Sequence, residues 1–525
     1  METLYLLHLL LSLSGTLLAV KQPNIVLMLA DDLGWGDVPW NGAVTIAPNL
    51  ANLAYSGVIL DRHYVQPICT PTRAALMTGK YPIRLGMQHA VILWGEPWGL
   101  GTEEVLVSDH LSALGYAVHG VGKWHLGFCS WAHTPAARGF DSFYGYWNGD
   151  ETYSGKITHG FYDFRLDTKD ANGTLNDQVL WGANETYSTY LYAERASKVI
   201  QEHDTEKPLF LYFPIQSVHY PSEVPSKYYD LYEGVVNNTE RRTLNAMVTA
   251  MDDVVGTVVS ELKKKDMWDN TIFIFFSDNG GPVPPVRSNG QTNFPLRGGK
   301  ATLWEGGIRS SSFVHSPLLP HSFVNRELIH VTDWLPTLVH LASCGPHDLE
   351  CKAEKTLVEG IDGINQWATI IGAEKSGRTE FLVNIDEWEH NSAALRMGPW
   401  KLYQGYPGSP GPWIPPPRAE YGNQTMYHKV ISDLIENIEK FQDGFCETPD
   451  NHEDSPTTVR LFNVDTDPSE IFEVSKDHPD IVDQMLEKIN VYSKEAVPIK
   501  KRPIDPNSDP KKFGGVWKPW LETCP

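Results

Sequence analysis

Short apolar runs, each followed at once by polar residues and glycine, set the rhythm of this chain. Ile25 to Ala30 gives way to Asp31-Asp32-Leu33-Gly34-Trp35-Gly36-Asp37. Leu209 to Phe213 leads to Gln216-Ser217-Val218-His219, and Ile272 to Phe276 to Ser277-Asp278-Asn279-Gly280-Gly281. Uninterrupted apolar runs of this length predict strands buried on both faces of a parallel sheet. The groups just past their carboxyl ends occupy the place where open α/β sheets bind ligands. Between the runs, Leu244, Met247, Val248, Met251, Val255, Val258, Val259 and Leu262 keep a helical period, closed by Lys263-Lys264-Lys265. Asp109 to Leu114, ended by Gly115, predicts another helix. Strands alternating with helices give a doubly wound α/β domain.

The texture changes after about residue 375. Pro and Gly crowd Gly405 to Pro417, Trp and Tyr become frequent, and strands shorten around Ala394 to Leu402. This predicts a smaller antiparallel α+β domain over 379–525 after an α/β domain over 20–378. A late helix is expected from Pro479 to Ser493, with Ile481, Met485, Ile489 and Val491 on its apolar side.

The first 19 residues read as a signal peptide, and no later apolar run reaches the roughly 18 residues of a membrane span. Four N-x-S/T sequons, at Asn172, Asn184, Asn237 and Asn423, fit passage through the secretory pathway. The expected location is therefore lysosomal or extracellular. The net charge of −22 argues against a nucleic-acid partner, and any anion pocket must be a local positive pit. Of the six cysteines, Cys344 and Cys351 are spaced for a local bridge; setting Cys69 apart leaves five, an odd number.

Cys69 opens Cys69-Thr70-Pro71-Thr72-Arg73-Ala74-Ala75-Leu76-Met77-Thr78-Gly79, the most informative stretch of the chain. Pro71 suits a first helical turn, Ala74 to Met77 are good helix formers, and Gly79 reads as the C-terminal cap. Residue 69 then lies just before a helix N-terminus, where free N–H groups favour an anion, and Arg73 is placed to fork onto its oxygens. Asp31, Asp32, Asp278 and Asn279, at the ends of two predicted strands, form an oxygen set that suits Ca²⁺ or Mg²⁺. Lys123 in Gly122-Lys123-Trp124-His125 and Lys300 in Arg297-Gly298-Gly299-Lys300 supply candidate cations.

The Cys-x-Pro-x-Arg motif closed by Thr-Gly resembles the signature of the sulfatase family. The likeness extends through Leu29 to Trp35, Tyr64 to Pro67, Val121 to Gly127, Gln216 to His219, Ser277 to Gly281 and Leu303 to Gly307. Asn325 to His330 and Asp333 to Thr337 are most similar to the arylsulfatase B branch. The resemblance implies an alkaline-phosphatase-like fold, a large mixed sheet sandwiched by helices with a smaller C-terminal α+β domain on an antiparallel sheet. It also implies that a formylglycine-generating enzyme oxidises Cys69 to formylglycine. One hydroxyl of the aldehyde hydrate then attacks the sulfur of a sulfate ester, and the other expels sulfate by re-forming the aldehyde. By the same resemblance Asp31, Asp32, Asp278, Asn279 and residue 69 hold one Ca²⁺. Arg73 and His125 steady the hydrate; Lys123, His219 and Lys300 bind sulfate, with His219 the acid for the leaving oxygen.

Two departures bear on substrate. Val118 stands where the family's second signature often has Ser or Thr, and the cysteine-free loop His89 to Gly101 carries Trp94, Glu96 and Trp98. Both tryptophans are expected at the pocket rim. The branch likeness points to sulfated N-acetylgalactosamine of glycosaminoglycans; small sulfated metabolites such as glucosinolates or aryl sulfates are the alternative. A phosphodiesterase or phosphonate hydrolase of the same superfamily, and an inactive secreted glycoprotein, are disfavoured by the intact set of site residues.

Overall fold

A computed structural model describes residues 22–411 and 455–525, apart from 171, 288, 389 and 390. The expected signal peptide, Asn423 and Cys446 lie outside the described residues. The large sheet takes its strands in chain order as β1 (Asn24–Ala30), β2 (Val58–Leu60), β3 (Ala117–Lys123), β4 (Ser142–Tyr146), β5 (Arg165–Lys169), β6 (Leu175–Val179), β7 (Leu209–Pro214), β8 (Thr271–Ser277), β9 (Phe313–His315) and β10 (Phe323–Asn325). Their spatial order is β10-β2-β9-β8-β1-β7-β3-β4-β5-β6. The central five, β8-β1-β7-β3-β4, are all parallel, and antiparallel pairs flank them on both sides. The predicted strands are the middle of this mixed sheet.

β1 shows why its sequence is apolar throughout. Val26, Met28 and Ala30 belong to one core and Ile25, Leu27 and Leu29 to the other, all with no exposure. The first core is closed by the helices Ser188–Glu202 and Thr239–Lys264, the second by Cys69–Thr78, Val107–Ala113 and Trp334–Cys344. The predicted helical run fills the Thr239–Lys264 helix, whose Asn238 side chain accepts from the Arg241 N–H as its N-cap. With apolar layers on both faces, the strands' carboxyl ends are the free edge for polar chemistry.

A second sheet of four antiparallel strands, β11 (Glu380–Asp386), β12 (Ser392–Met397), β13 (Trp400–Gln404) and β14 (Val459–Asn463), builds the smaller layer. The helix Pro479–Glu495 covers it through Met485 and Ile489; Val491, expected inside, is 51% exposed because it falls off that stripe. Lys401 of β13 is buried between Glu305 and Glu470, 3.0 Å from each, and so ties this sheet to the large one. Residues 496–525 leave the small layer and run along the large one. Val497, Lys500 and Asp505 donate their N–H groups to Ile83, Gly86 and Gly95, and Cys524 is disulfide-bonded to Cys129. Cys344 and Cys351 form the expected local bridge, leaving Cys69 as the free cysteine among the described residues. No helix of the described residues is long and apolar enough to cross a membrane.

Replacing Lys401 by Ala would take from two buried carboxylates the cation they share, so Lys401→Ala should cost about 3–5 kcal/mol. Denaturant melting should show this as an earlier transition; an unchanged midpoint would mean that the ion triad does not hold the layers together.

Candidate active site

Four neighbouring parallel strands deliver the polar groups. Asp31 and Asp32 follow β1, Asp278 and Asn279 follow β8, His219 follows β7, and Lys123 ends β3. The backbone continues their pairing past the strands: Asp31 N–H donates to Ser217 O at 3.0 Å and Asp278 N–H to Ala30 O at 3.0 Å. Asp32 and His125 turn away in the left-handed region, at φ 63° and 57°, a conformation that a non-glycine residue holds only where its surroundings fix it. Residue 69 comes from the other core. The helix Cys69–Thr78 begins at Cys69 itself, one position earlier than the sequence suggests, with Pro71 in its first turn and Gly79 capping it at φ 66°. Cys69 Sγ lies 3.7 Å from Asp31 Oδ1.

The charges form a compact lattice. Lys123 Nζ donates to Asp31 Oδ2 at 2.7 Å, and Lys300 Nζ contacts Asp32 at 2.6 and 2.8 Å. Arg73 donates from Nε and Nη2 to Asp278 Oδ2 at 3.1 and 2.8 Å and from Nη1 to Lys123 O at 3.1 Å. Three of its N–H donors are thus taken by protein acceptors, and it is fully buried. Arg73 therefore grips Asp278 and is not among the residues lining the cavity, where the helix geometry alone pointed it. Burial pushes the Asp32 carboxyl up, but Lys300 and His219 more than reverse this and hold it well below the usual range. Burial and the Asp278 charge push the Cys69 thiol up to about 12, so the free thiol stays protonated at neutral pH.

Both histidines have assigned tautomers. His219 Nδ1 donates to Tyr220 O at 2.6 Å, leaving Nε2 free, 3.6 Å from Asp32 Oδ2. Burial and Lys300 push this imidazole down to about 3. His125 Nε2 donates to Ile92 O at 3.1 Å, and its Nδ1 is buried without a partner. Its ring packs on Gly149, where an added Cβ would sit 2.6 Å from Cε1, so no side chain fits there.

The residues present suit a hard cation. Ligand atoms of Asp31, Asp32, Cys69 and His219 lie within 4.8 Å of one another. Asn279 Nδ2 donates to Asp32 Oδ1 and Gly280 O, which fixes the amide and leaves the buried Oδ1 with no hydrogen-bond partner. A carboxylate pair with an orphaned amide oxygen is an oxygen-rich cradle.

The cluster opens into a cavity of about 250 Å³ lined by Cys69, His125, His219 and Lys300, with Trp94, Asp150, His159 and Arg287 around them. Lys123 and Arg73 lie behind this wall. Trp94 stacks on His159, and Arg287 stacks on Tyr220 with its guanidinium 3.9 Å from the ring. Trp98, expected at the rim, is instead core: it is 2% exposed and its Nε1 donates to Glu96 Oε2 at 2.8 Å. Asp150, His159 and Arg287 escaped the sequence reading. Asn148-Gly149-Asp150 follows β4 as the other site segments follow their strands, a signal that was available; His159 comes from the two-residue turn of the hairpin Ile157–Thr158/Phe161–Tyr162 and Arg287 from an irregular loop, neither with such a signal. Three of the four sequon asparagines, Asn172, Asn184 and Asn237, are exposed.

Comparison with known proteins agrees with this geometry. Residues 23–344 match the Sulfatase family, and the chain belongs to it. It is 36% identical to arylsulfatase J of Mus musculus over 96% of this chain and 81% of that protein. It is 31% identical to arylsulfatase A of Homo sapiens, covering 75% and 77% of the two chains. Among solved structures it is similar to Ps i-CgsB in complex with k-i-k-neocarrahexaose, with TM-score 0.71 and 27% identity over 92% of this chain and 95% of that one. The protein is a sulfuric ester hydrolase with the large mixed sheet and smaller antiparallel sheet of its family.

The two loop tryptophans should separate cleanly. Trp98→Ala removes a buried ring and should cost about 3–5 kcal/mol, read as a lower melting temperature. Trp94→Ala should keep the melting temperature and change the ranking of sulfate esters by kcat/KM. A stable Trp98 variant with altered ranking would restore it to the rim.

Proposed function

We propose that this enzyme cleaves sulfate esters with a formylglycine made from Cys69 beside one bound Ca²⁺. The observation that carries the reading is the placement of residue 69. It sits at a helix N-terminus, on the cavity wall, 3.7 Å from the carboxylate that opens the oxygen cradle. A protonated buried thiol is a poor nucleophile, which favours conversion of the side chain.

Asp31, Asp32, Asp278 and Asn279, with residue 69, would hold the ion. When bound it offsets sulfate charge and acidifies a nearby hydroxyl. The chain's own groups do the rest. Lys300 and Lys123 bring positive charge to the sulfate oxygens, from the wall and from behind it. His219 presents Nε2 to the cavity; held neutral by burial and Lys300, it would take up the proton released by the attacking hydroxyl and pass it to the leaving oxygen. His125, anchored to Ile92 O, keeps Nδ1 as an acceptor for a hydroxyl on residue 69. Arg73 fixes Asp278 so that the cradle does not shift as charge moves.

For substrate, the reading is a sulfated amino sugar such as N-acetylgalactosamine in a glycosaminoglycan. It is supported by 31% identity to the N-acetylgalactosamine-6-sulfatase of Sus scrofa over 65% of this chain and 66% of that protein. Trp94 stacked on His159 at the mouth also suits a sugar or aryl ring. Small aryl or glucosinolate sulfates are the second reading, because the cavity that holds Cys69 is small, about 250 Å³. A secretory route, lysosomal or extracellular, with glycans on the exposed sequons completes the proposal.

Peptide mass spectrometry of active enzyme should find an aldehyde at residue 69, and Cys69→Ala should give a folded protein without turnover; full activity with an unmodified thiol would overturn the mechanism. Asp278→Ala should lose bound calcium and at least about a hundredfold in kcat, in line with removal of a group that stabilises developing charge. Wild-type metal content in that variant would reject the ligand assignment.

A further inference from the structure

A second cavity of about 300 Å³ abuts the first along a shared seam. Ile68 lines both, and three chain segments give consecutive residues to the two: Ala90 and Val91, Val286 and Arg287, Ala301 and Lys300. The second cavity lies at the junction of the two sheets, with Gln88, His89, Asn384, Asp386, Ser392 and Tyr406 in its wall.

The chemistry of the two halves differs. Lys300 and Arg287 stand on the first cavity's side of the seam, and the second has no lysine or arginine among its described lining residues. Its charged wall is the carboxylate Asp386, whose Oδ2 is 2.7 Å from His89 Nδ1 and whose Oδ1 accepts from Trp388 N–H at 2.9 Å. Two amides add acceptors. Asn384 Nδ2 donates to Gln88 O and Gln88 Nε2 to Val497 O, which fixes both groups and leaves Asn384 Oδ1 and Gln88 Oε1 buried without donors. Beside them Trp388, 57% exposed, stacks on the His89 ring. An exposed indole next to a carboxylate and unmet acceptors asks for a ligand with an apolar face and many hydroxyl donors. It repels a second anion.

We propose that this second cavity is a subsite for a neutral, hydroxyl-rich sugar unit joined to the sulfated one, and that it disfavours an acidic neighbour such as a uronate. The inference rests on the sulfatase reading of the first cavity. It keeps the sulfated amino sugar but sets aside polymers in which that sugar alternates with a uronate, in favour of glycans whose neighbouring unit is neutral, and it sets simple aryl sulfates apart as substrates that leave half of the cleft unused.

The test compares four sulfate esters: 4-nitrophenyl sulfate, a monosulfated N-acetylhexosamine, and that same sugar linked to a neutral hexose or to a hexuronate. The neutral disaccharide should exceed the monosaccharide by about tenfold in kcat/KM, as expected where buried acceptors await hydroxyls, and the uronate disaccharide should gain nothing. Asp386→Asn keeps the shape and removes the charge. It should reduce the advantage of the neutral unit, raise turnover of the uronate disaccharide and leave 4-nitrophenyl sulfate unchanged. That gain cannot come from a misfolded protein. No advantage for the neutral unit, a preference for the uronate, or an equal change on all four esters with Asp386→Asn would overturn the subsite. Calorimetric binding of the same sugars to the Cys69→Ala protein separates the two levels of the argument. A binding preference without hydrolysis by the wild-type protein would refute the chemistry and keep the subsite. Hydrolysis of 4-nitrophenyl sulfate without that preference would keep the sulfatase and refute the subsite.

Discussion

The placement of three carboxylates in a dry interior is the constraint on which this molecule is built. Asp31, Asp32 and Asp278 are each almost wholly buried, and isolated they would be forced to protonate. Lys123, Lys300 and Arg73 meet them one by one at hydrogen-bonding distance. The lattice is therefore tolerable without a ligand, and its six charges come from five separated stretches of chain. Every one must arrive in register for any to be stable, which makes the site a demand on the whole fold. Such a lattice is also electrostatically poised. In the proposed reading, a divalent ion among the carboxylates would take over part of the compensation now given by the lysines and leave their charge for the sulfate.

Rigidity follows from what lies beneath. The carboxylates hang from the centre of a parallel sheet closed on both faces by helices, so their backbone is held by strand pairing that continues past the last strand residue. Gly280 shows how tight this is: a Cβ there would sit 1.7 Å from Gly306 O, so the turn carrying Asp278 and Asn279 is pressed against the Glu305–Ile308 turn. The same turn carries Glu305, which Lys401 ties to the small sheet. The C-terminal layer thus braces the catalytic edge from behind, while its first strand, ending at Asp386, reaches round to line the neighbouring cavity. The tail after Glu495 returns under the 89–101 loop, and its Asp505 N–H bonds to Gly95 O beside Trp94. Rim and second cavity share the 88–94 segment and Ile68, so a change in one bears on the other.

The central strands, the long helix and the nucleophile helix were legible in the sequence because each is a local solution. A strand buried on both faces has no polar position to spare, and a helix start with Pro71 and a Gly79 cap needs no distant partner. The polar residues that follow those strands were legible for the same reason: only the carboxyl ends of a doubly covered sheet are free to hold them. Tertiary packing decided what depended on a second stretch of chain. Arg73 looked free to meet an anion until Asp278, 205 residues away, claimed its guanidinium. Trp98 and Trp94 are alike by composition and position in the loop, yet Glu96 and the core take one and His159 stacks on the other. Cys129 finds Cys524 across 395 residues, a pairing that spacing does not encode. The second cavity exists where two sheets meet, so no run of residues announces it. Propensity and periodicity act over one turn or one strand; charge pairing, burial and cavities are properties of surfaces brought together, and only the folded chain defines those.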